Sequence, residues 1–165
     1  MKTRSPEPVS SFQGSGVMPR VAIVKSRFNE EVTGGLFRGA LEYLRSQKIE
    51  FDESSQRFDA PGAFEMPLLA KALARTGKFD VVVCLGCVIK GDTAHFEFIS
   101  LGATVGMMQA SLETEVPVTF GILTTYDQEQ ARRRSADDPH NKGIEAAAAG
   151  VEAWRELVKI RGLAP

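Results

Sequence analysis

The sequence carries almost no charge imbalance, few cysteines or histidines, and no long apolar run, and each shortage removes a class of function. Lys plus Arg number 20 against 21 Asp plus Glu, a formal charge of -1. That balance gives no field able to gather nucleic acid or an anionic lipid surface. No apolar run is long enough to span a bilayer, and the basic residues Lys2 and Arg4 are not followed by the apolar stretch of a secretion signal. A cytoplasmic protein without nucleic-acid or membrane partners is therefore expected. The only cysteines, Cys84 and Cys87, lie inside the apolar run from Val81 to Ile89. In a strand, positions three apart point to opposite faces, so a disulfide or a shared metal is geometrically awkward. Both read as small core residues, because the redox use of C-x-x-C needs a helix N-terminus.

What is present is enough chain, 165 residues, for one domain with a single sizeable core. Residues 1–19 are rich in Ser, Pro and Gly with few apolar anchors and read as a flexible arm, leaving residues 20–165 as one α/β domain. Arg20 to Lys25 reads as a buried strand, followed by a helix capped by Asn29 with Glu30 and Glu31 in its first turn. Ile49 to Phe58 reads as a second, less regular strand at an edge, ended by Ala60-Pro61-Gly62. Pro67 suits the first turn of the next helix, whose buried face is expected to be Leu68, Leu69, Ala72 and Leu73. Phe79 to Ile89 is the third strand, followed by a helix over His95 to Glu113. Pro117 to Thr124 is the fourth strand, and helices near Asp127 to Ser135 and Asn141 to Arg161 complete the chain. Alternating strands and helices with near-continuous apolar strands predict a three-layer αβα sandwich around a four-stranded parallel sheet ordered 2-1-3-4.

In such sheets ligands bind beyond the carboxyl ends of the strands, so the turns after the strands carry the functional information. A phospho-acceptor receiver needs an acidic pair after strand one, but Lys25-Ser26-Arg27 stands there. A flavodoxin needs a Ser/Thr/Gly phosphate loop at the same place, and Phe28-Asn29 does not supply it. The turn after strand three, Lys90-Gly91-Asp92-Thr93-Ala94-His95, is the best candidate anion site. Gly91 admits close backbone approach, the next helix begins there, and Thr93 adds a hydroxyl. An ordinary Gly turn with a Thr cap is the alternative. Asp92 would repel a phosphate through its carboxylate, so its backbone is the expected contact.

His95 is one of two histidines. An unperturbed imidazole titrates at about 6.5, which suits both giving and taking a proton. A structural histidine is the alternative, but no nucleophile motif or metal-ligand cluster competes elsewhere. Phe28 offers a flat face in a polar turn beside the amide of Asn29, and Glu65 could accept hydroxyl protons. Together they suit a planar hydrogen-bonding heterocycle with a polyol tail. Arg132, Arg133 and Arg134 read as a solvated face from which one side chain could close on a phosphate.

Five segments then carry a resemblance. They are R-F-N at Arg27 to Asn29, P-G-A-F-E at Pro61 to Glu65, G-x-V-I-K-G-D-T-x-H at Gly86 to His95, P-V-x-F-G-I-L-T-T at Pro117 to Thr125, and N-K-G at Asn141 to Gly143. In order and spacing, from about Val21 to Trp154, the chain resembles the 6,7-dimethyl-8-ribityllumazine synthase family. The resemblance implies a flavodoxin-like sheet and an enzyme of riboflavin biosynthesis. Its reaction would condense 5-amino-6-(D-ribitylamino)uracil with 3,4-dihydroxy-2-butanone 4-phosphate, releasing phosphate and water, with no metal and no organic cofactor. It further implies that Phe28 stacks on the pyrimidine while Asn29, Gly62, Ala63, Phe64 and Glu65 hold the uracil and ribityl groups. Val88, Ile89 and Lys90 would line the same pocket by backbone. Gly91, Asp92, Thr93 and Arg134 would hold the phosphate, and His95 would move protons.

The implied assembly is a homo-oligomer, at least a pentamer, with sites between subunits. Phe120, Lys142 and Glu145 would be candidates to approach from the partner chain, and there is room for a riboflavin synthase as a further partner. Ser135 to His140 reads S-A-D-D-P-H where many family members have a Gly-rich, Lys-bearing link, so a step from pentamers to larger shells is left open. A non-catalytic relative kept for assembly or flavin binding is the competing reading.

Overall fold

A computed structural model describes residues 16–163; most of the expected arm, residues 1–15, lies outside the described residues. The strands form where short apolar runs can be buried on both faces. They are β1 (Val21–Ser26), β2 (Arg57–Ala60), β3 (Val81–Ile89) and β4 (Val118–Thr125). All pairings are parallel and the order is β2-β1-β3-β4, as the alternation of elements predicts. The helices are α1 (Glu30–Ser46), α2 (Glu53–Gln56), α3 (Met66–Arg75), α4 (His95–Thr114), α5 (Gln128–Ser135) and α6 (Lys142–Arg161).

The sheet separates two cores. On one face Val21, Ile23, Val83 and Leu85 pack against Leu36 and Leu44 of α1, Ala131 of α5, and Ala147 and Val151 of α6. On the other, Ala22, Val24, Val82 and Ile122 pack against Met66 and Ala70 of α3 and Ala103 and Met107 of α4. Strand alternation sends Cys84 to the second core and Cys87 to the first, and both are free, buried thiols.

Two local expectations are corrected. The second strand is four residues long and begins only at Arg57, because Asp52 caps α2 instead of extending the chain. Its carboxylate accepts from Ser54 N at 3.0 Å and from the hydroxyls of Ser54 and Ser55. Helix α3 buries Met66, Ala70 and Ala74, while Leu68 is 72% exposed and Ala72 is exposed. Small side chains let α3 lie close to the sheet, with Leu69 and Leu73 half-buried against the same core, as expected, while Leu68 turns away. Helix α4 likewise buries little, only Ala103, Met107 and Ala110. Phe98, Leu101, Val105, Met108 and Leu112 form an exposed stripe at alternating spacings of three and four along it.

Burial pushes the Cys84 thiol up to about 12 and the Cys87 thiol up to about 11. An unfolded thiol ionises at about 8.5, so as pH rises the unfolded chain loses these protons first. The stability the buried thiols confer is therefore complete below that value and is lost as pH climbs toward their folded values. A thiol reagent at pH 8 is expected to leave Cys84 unlabelled in the native protein and to label it in denaturant; rapid labelling of Cys84 in the native state would contradict this packing.

Candidate active site

Parallel pairing brings the turns after β1, β2 and β3 to one edge, and three main-chain acceptors stitch them together. Arg27 N donates to Ala60 O at 3.0 Å, binding the first turn to the end of β2. Asn29 Nδ2 donates to Cys87 O at 3.0 Å, binding it to β3. Lys90 N donates to Thr125 O at 2.9 Å, binding the ends of β3 and β4. Asn29 holds the N-cap position of α1, its carbonyl accepting from Val32 N and Thr33 N at 2.9 Å. Its side chain makes no cap, which corrects the simple capping expectation. A left-handed backbone, φ 54 and ψ 53, turns the amide away to β3.

Above these stitches opens a cavity of about 390 Å³ lined by Phe28, Asn29, Gly62, Ala63, Phe64, Glu65, Cys87, Val88, Ile89, His95 and Ile99. The Phe28 ring is 69% exposed although its backbone is pinned, Phe28 N donating to Ser26 Oγ at 3.1 Å. Gly62 lets two functional groups converge. A Cβ there would stand 3.2 Å from Glu65 Oε2 and 3.6 Å from the Phe28 ring, so carboxylate and aromatic face share one spot. Phe64 leans on α4, where a Cβ at Gly102 would lie 3.1 Å from its ring. His95 is exposed at the first position of α4, with its backbone N donating to Thr93 Oγ1 at 3.4 Å. Ile99 follows one helical turn later on the same face. Neither Ile99 nor Cys87 stood out in the sequence as a site residue; the helical spacing from His95 was the signal for Ile99.

The turn from Gly91 to Thr93 is exposed and lies beside the cavity, outside its lining. A Cβ at Gly91 would meet nothing within 4 Å, and its φ is not left-handed. The glycine therefore leaves open space and is not demanded by the backbone. Helix geometry leaves N–H groups without intrahelical acceptors at the head of α4, which favours an anion here. The Lys90 ammonium is turned aside, 3.5 Å from Glu97 and over the Tyr126 ring.

The remaining predicted residues are in a second cavity, also about 390 Å³, along β4. It is lined by Thr119 to Thr124, Arg134, Lys142, Glu145, Ala146 and Ala149. Lys142 Nζ is 2.6 Å from Glu145 Oε1. Arg132 pairs with Glu31 and Arg133 with Glu129, whereas among the described residues Arg134 forms no ion pair. Arg134 thus lines the cavity that holds Phe120 and Lys142, and not the one that holds His95. Register sets the height of Phe120. Phe120 lies opposite Cys84 and Thr125 opposite Ile89, so Phe120 is about 16 Å below the edge at a strand rise of about 3.3 Å per residue. Among the described residues no group of three His, Cys, Asp or Glu side chains is arranged to hold a metal ion.

Residues 18–157 match the family profile described as 6,7-dimethyl-8-ribityllumazine synthase. A Caulobacter vibrioides protein named 6,7-dimethyl-8-ribityllumazine synthase 1 is 58% identical over 145 residues, covering 88% of this chain and 94% of that protein. A Salinibacter ruber protein named 6,7-dimethyl-8-ribityllumazine synthase is 47% identical over 143 residues, covering 87% and 91%. One of the same name from Chlorobium phaeovibrioides is 46% identical over 133 residues, covering 81% and 85%.

The stitch from Asn29 to Cys87 yields a prediction. Asn29→Ala removes the hydrogen bond and keeps a Cβ in a left-handed site that a short polar side chain tolerates better than a methyl group, for a loss of about 2–3 kcal/mol. Asn29→Gly also loses the bond but relieves the left-handed backbone at some cost in unfolded-chain entropy, and should cost about 1 kcal/mol. Urea denaturation of both variants checks this; equal losses would mean the left-handed backbone is not maintained.

Proposed function

The chain belongs to the 6,7-dimethyl-8-ribityllumazine synthase family, and we propose that it condenses 5-amino-6-(D-ribitylamino)uracil with 3,4-dihydroxy-2-butanone 4-phosphate. The products are 6,7-dimethyl-8-ribityllumazine, phosphate and water, and the enzyme is a transferase of riboflavin biosynthesis. The observation that carries the reading is the cavity where the Phe28 ring, the Glu65 carboxylate and His95 meet beside the Gly91 turn.

Phe28 stacks on the pyrimidine, and Glu65 accepts from ribityl hydroxyls. The carbonyl and amide groups of Asn29, Gly62, Ala63, Phe64, Val88, Ile89 and Lys90 supply the complementary edge. Gly91, Asp92 and Thr93 receive the phosphate through backbone N–H groups and the Thr93 hydroxyl, at the head of α4 where a negative charge is favoured. The amine of the pyrimidine attacks the ketone to give an imine and water, phosphate is eliminated, and the second nitrogen closes the ring with loss of another water. Positioning two substrates and shuttling protons suffices for this sequence, and His95 is the group that shuttles them. No organic cofactor or metal enters it.

We place Arg134, Phe120, Lys142 and Glu145 in the same site but on a neighbouring chain. On one chain the β4 register keeps Phe120 far below the edge that holds His95. β4 is an outer strand of the sheet, and Phe120 on it is 42% exposed. The apolar stripe on α4 is a second surface suited to copies of this chain. The assembly is a homo-oligomer, at least a pentamer, with residues 20–165 as the catalytic unit and residues 1–19 as an appended arm. The cytoplasm is the proposed compartment, and riboflavin synthase, which consumes the product, is a candidate partner.

Purified protein given both substrates is expected to form fluorescent lumazine well above the uncatalysed rate at neutral pH; no acceleration would contradict the activity. His95→Ala should lower turnover by up to about a hundredfold, the modest end of acid–base contributions, without abolishing it. An unchanged rate would remove His95 from proton transfer.

A further inference from the structure

Outside the lining of the second cavity a buried carboxamide joins the helices around it. Asn141 is 1% exposed. Its Nδ2 donates toward Gly35 O of α1 at 3.0 Å, Ser135 O at 3.1 Å and Ala136 O at 2.8 Å, two protons serving three acceptors. Its Oδ1 accepts from Gly143 N at 2.8 Å and so caps α6. The seat is tight on every side. A Cβ on Gly39 would stand 2.3 Å from Asn141 Oδ1, one on Gly35 2.2 Å from Ser135 O, and one on Gly143 1.9 Å from Leu36 O. Three helices therefore meet backbone to backbone around one side chain.

They do not depend on it equally. α6 is seated by Ala146, Ala147, Gly150, Val151 and Trp154, so Lys142 and its pairing with Glu145 are held by packing. α5 is short and polar and buries only Ala131 and Ser135. Its carboxyl end is held to α1 by the carboxamide from within and by the exposed Arg132–Glu31 and Arg38–Asp137 pairs at the surface. Arg134 immediately precedes Ser135, one of the carbonyl acceptors, and Arg132 and Arg133 are already committed to Glu31 and Glu129.

We propose that Asn141 is a positioning residue for Arg134: by fastening the end of α5 to α1, it aims the guanidinium into the second cavity to meet the substrate phosphate. The inference rests on the reading of Arg134 as a phosphate ligand, and the test separates the two. Asn141→Asp keeps the cap to Gly143 but turns a carboxylate oxygen toward three carbonyls. Asn141→Ser keeps a good cap without that repulsion and carries the test if the first variant does not fold.

On the full-length chain, the KM for 3,4-dihydroxy-2-butanone 4-phosphate should rise about tenfold, as for a weakened hydrogen bond to a charged group. The KM for the pyrimidine and kcat should stay within about twofold. In an Arg134→Ala background the Asn141→Ser change should add nothing further, the non-additivity expected of residues acting through one contact. Equal rises in both KM values, an unchanged KM, or additive effects would overturn the positioning role. If Arg134→Ala alone leaves the KM for the phosphorylated substrate unchanged, the reading of Arg134 falls, and the proposal with it.

Discussion

The layout of the candidate site follows from the parallel register of β3 between β1 and β4. Parallel strands point their carboxyl ends the same way, so turns far apart in sequence arrive at one edge. Residues as distant as Phe28, Glu65 and His95 thereby share one cavity. The same register, pairing Cys84 with Phe120 and Ile89 with Thr125, denies that cavity the residues in the middle of β4. On the proposed reading, a site using both sets draws the second from another chain, and catalysis and assembly become one geometric problem to which the exposed apolar stripe on α4 would also belong.

Sequence reasoning read the framework because its signals were strong and local. β1 and β3 are short apolar runs with no competing helical period, and the Gly91-Asp92-Thr93 turn breaks the chain sharply before α4. The failures have equally local causes. Asp52-Glu53-Ser54-Ser55 is a helix-capping run that looked like an irregular strand. The buried face of α3 was assigned to Leu68, Leu69, Ala72 and Leu73, whereas Met66, Ala70 and Ala74 take the fully buried places and only Leu69 and Leu73 of the expected four pack on the core. Asn29 reads as a helix cap from its position, but only the left-handed backbone shows that its amide serves β3.

The distribution of the candidate residues between two cavities was the least legible feature. Nothing in a linear motif says that Arg134 and His95 line different cavities, because that depends on the packing of α5 and α4 against the sheet. The N-K-G motif similarly names residues without their labour. Lys142 lines a cavity, Gly143 admits the backbone of Leu36, and Asn141 joins three helices. A buried, fully bonded polar side chain of this kind specifies an arrangement more than it adds net stability.

The central claim is a lumazine-forming site whose halves come from different copies of the chain. It is tested most directly by co-assembling two crippled variants, Phe28→Ala/His95→Ala and Arg134→Ala/Lys142→Ala, and measuring lumazine formation. In a random equal mixture about a quarter of the interfaces unite two intact halves, so activity should rise to about that fraction of the wild-type rate, well above either variant alone. Activity no greater than the mean of the two variants would show that each site is built within a single chain.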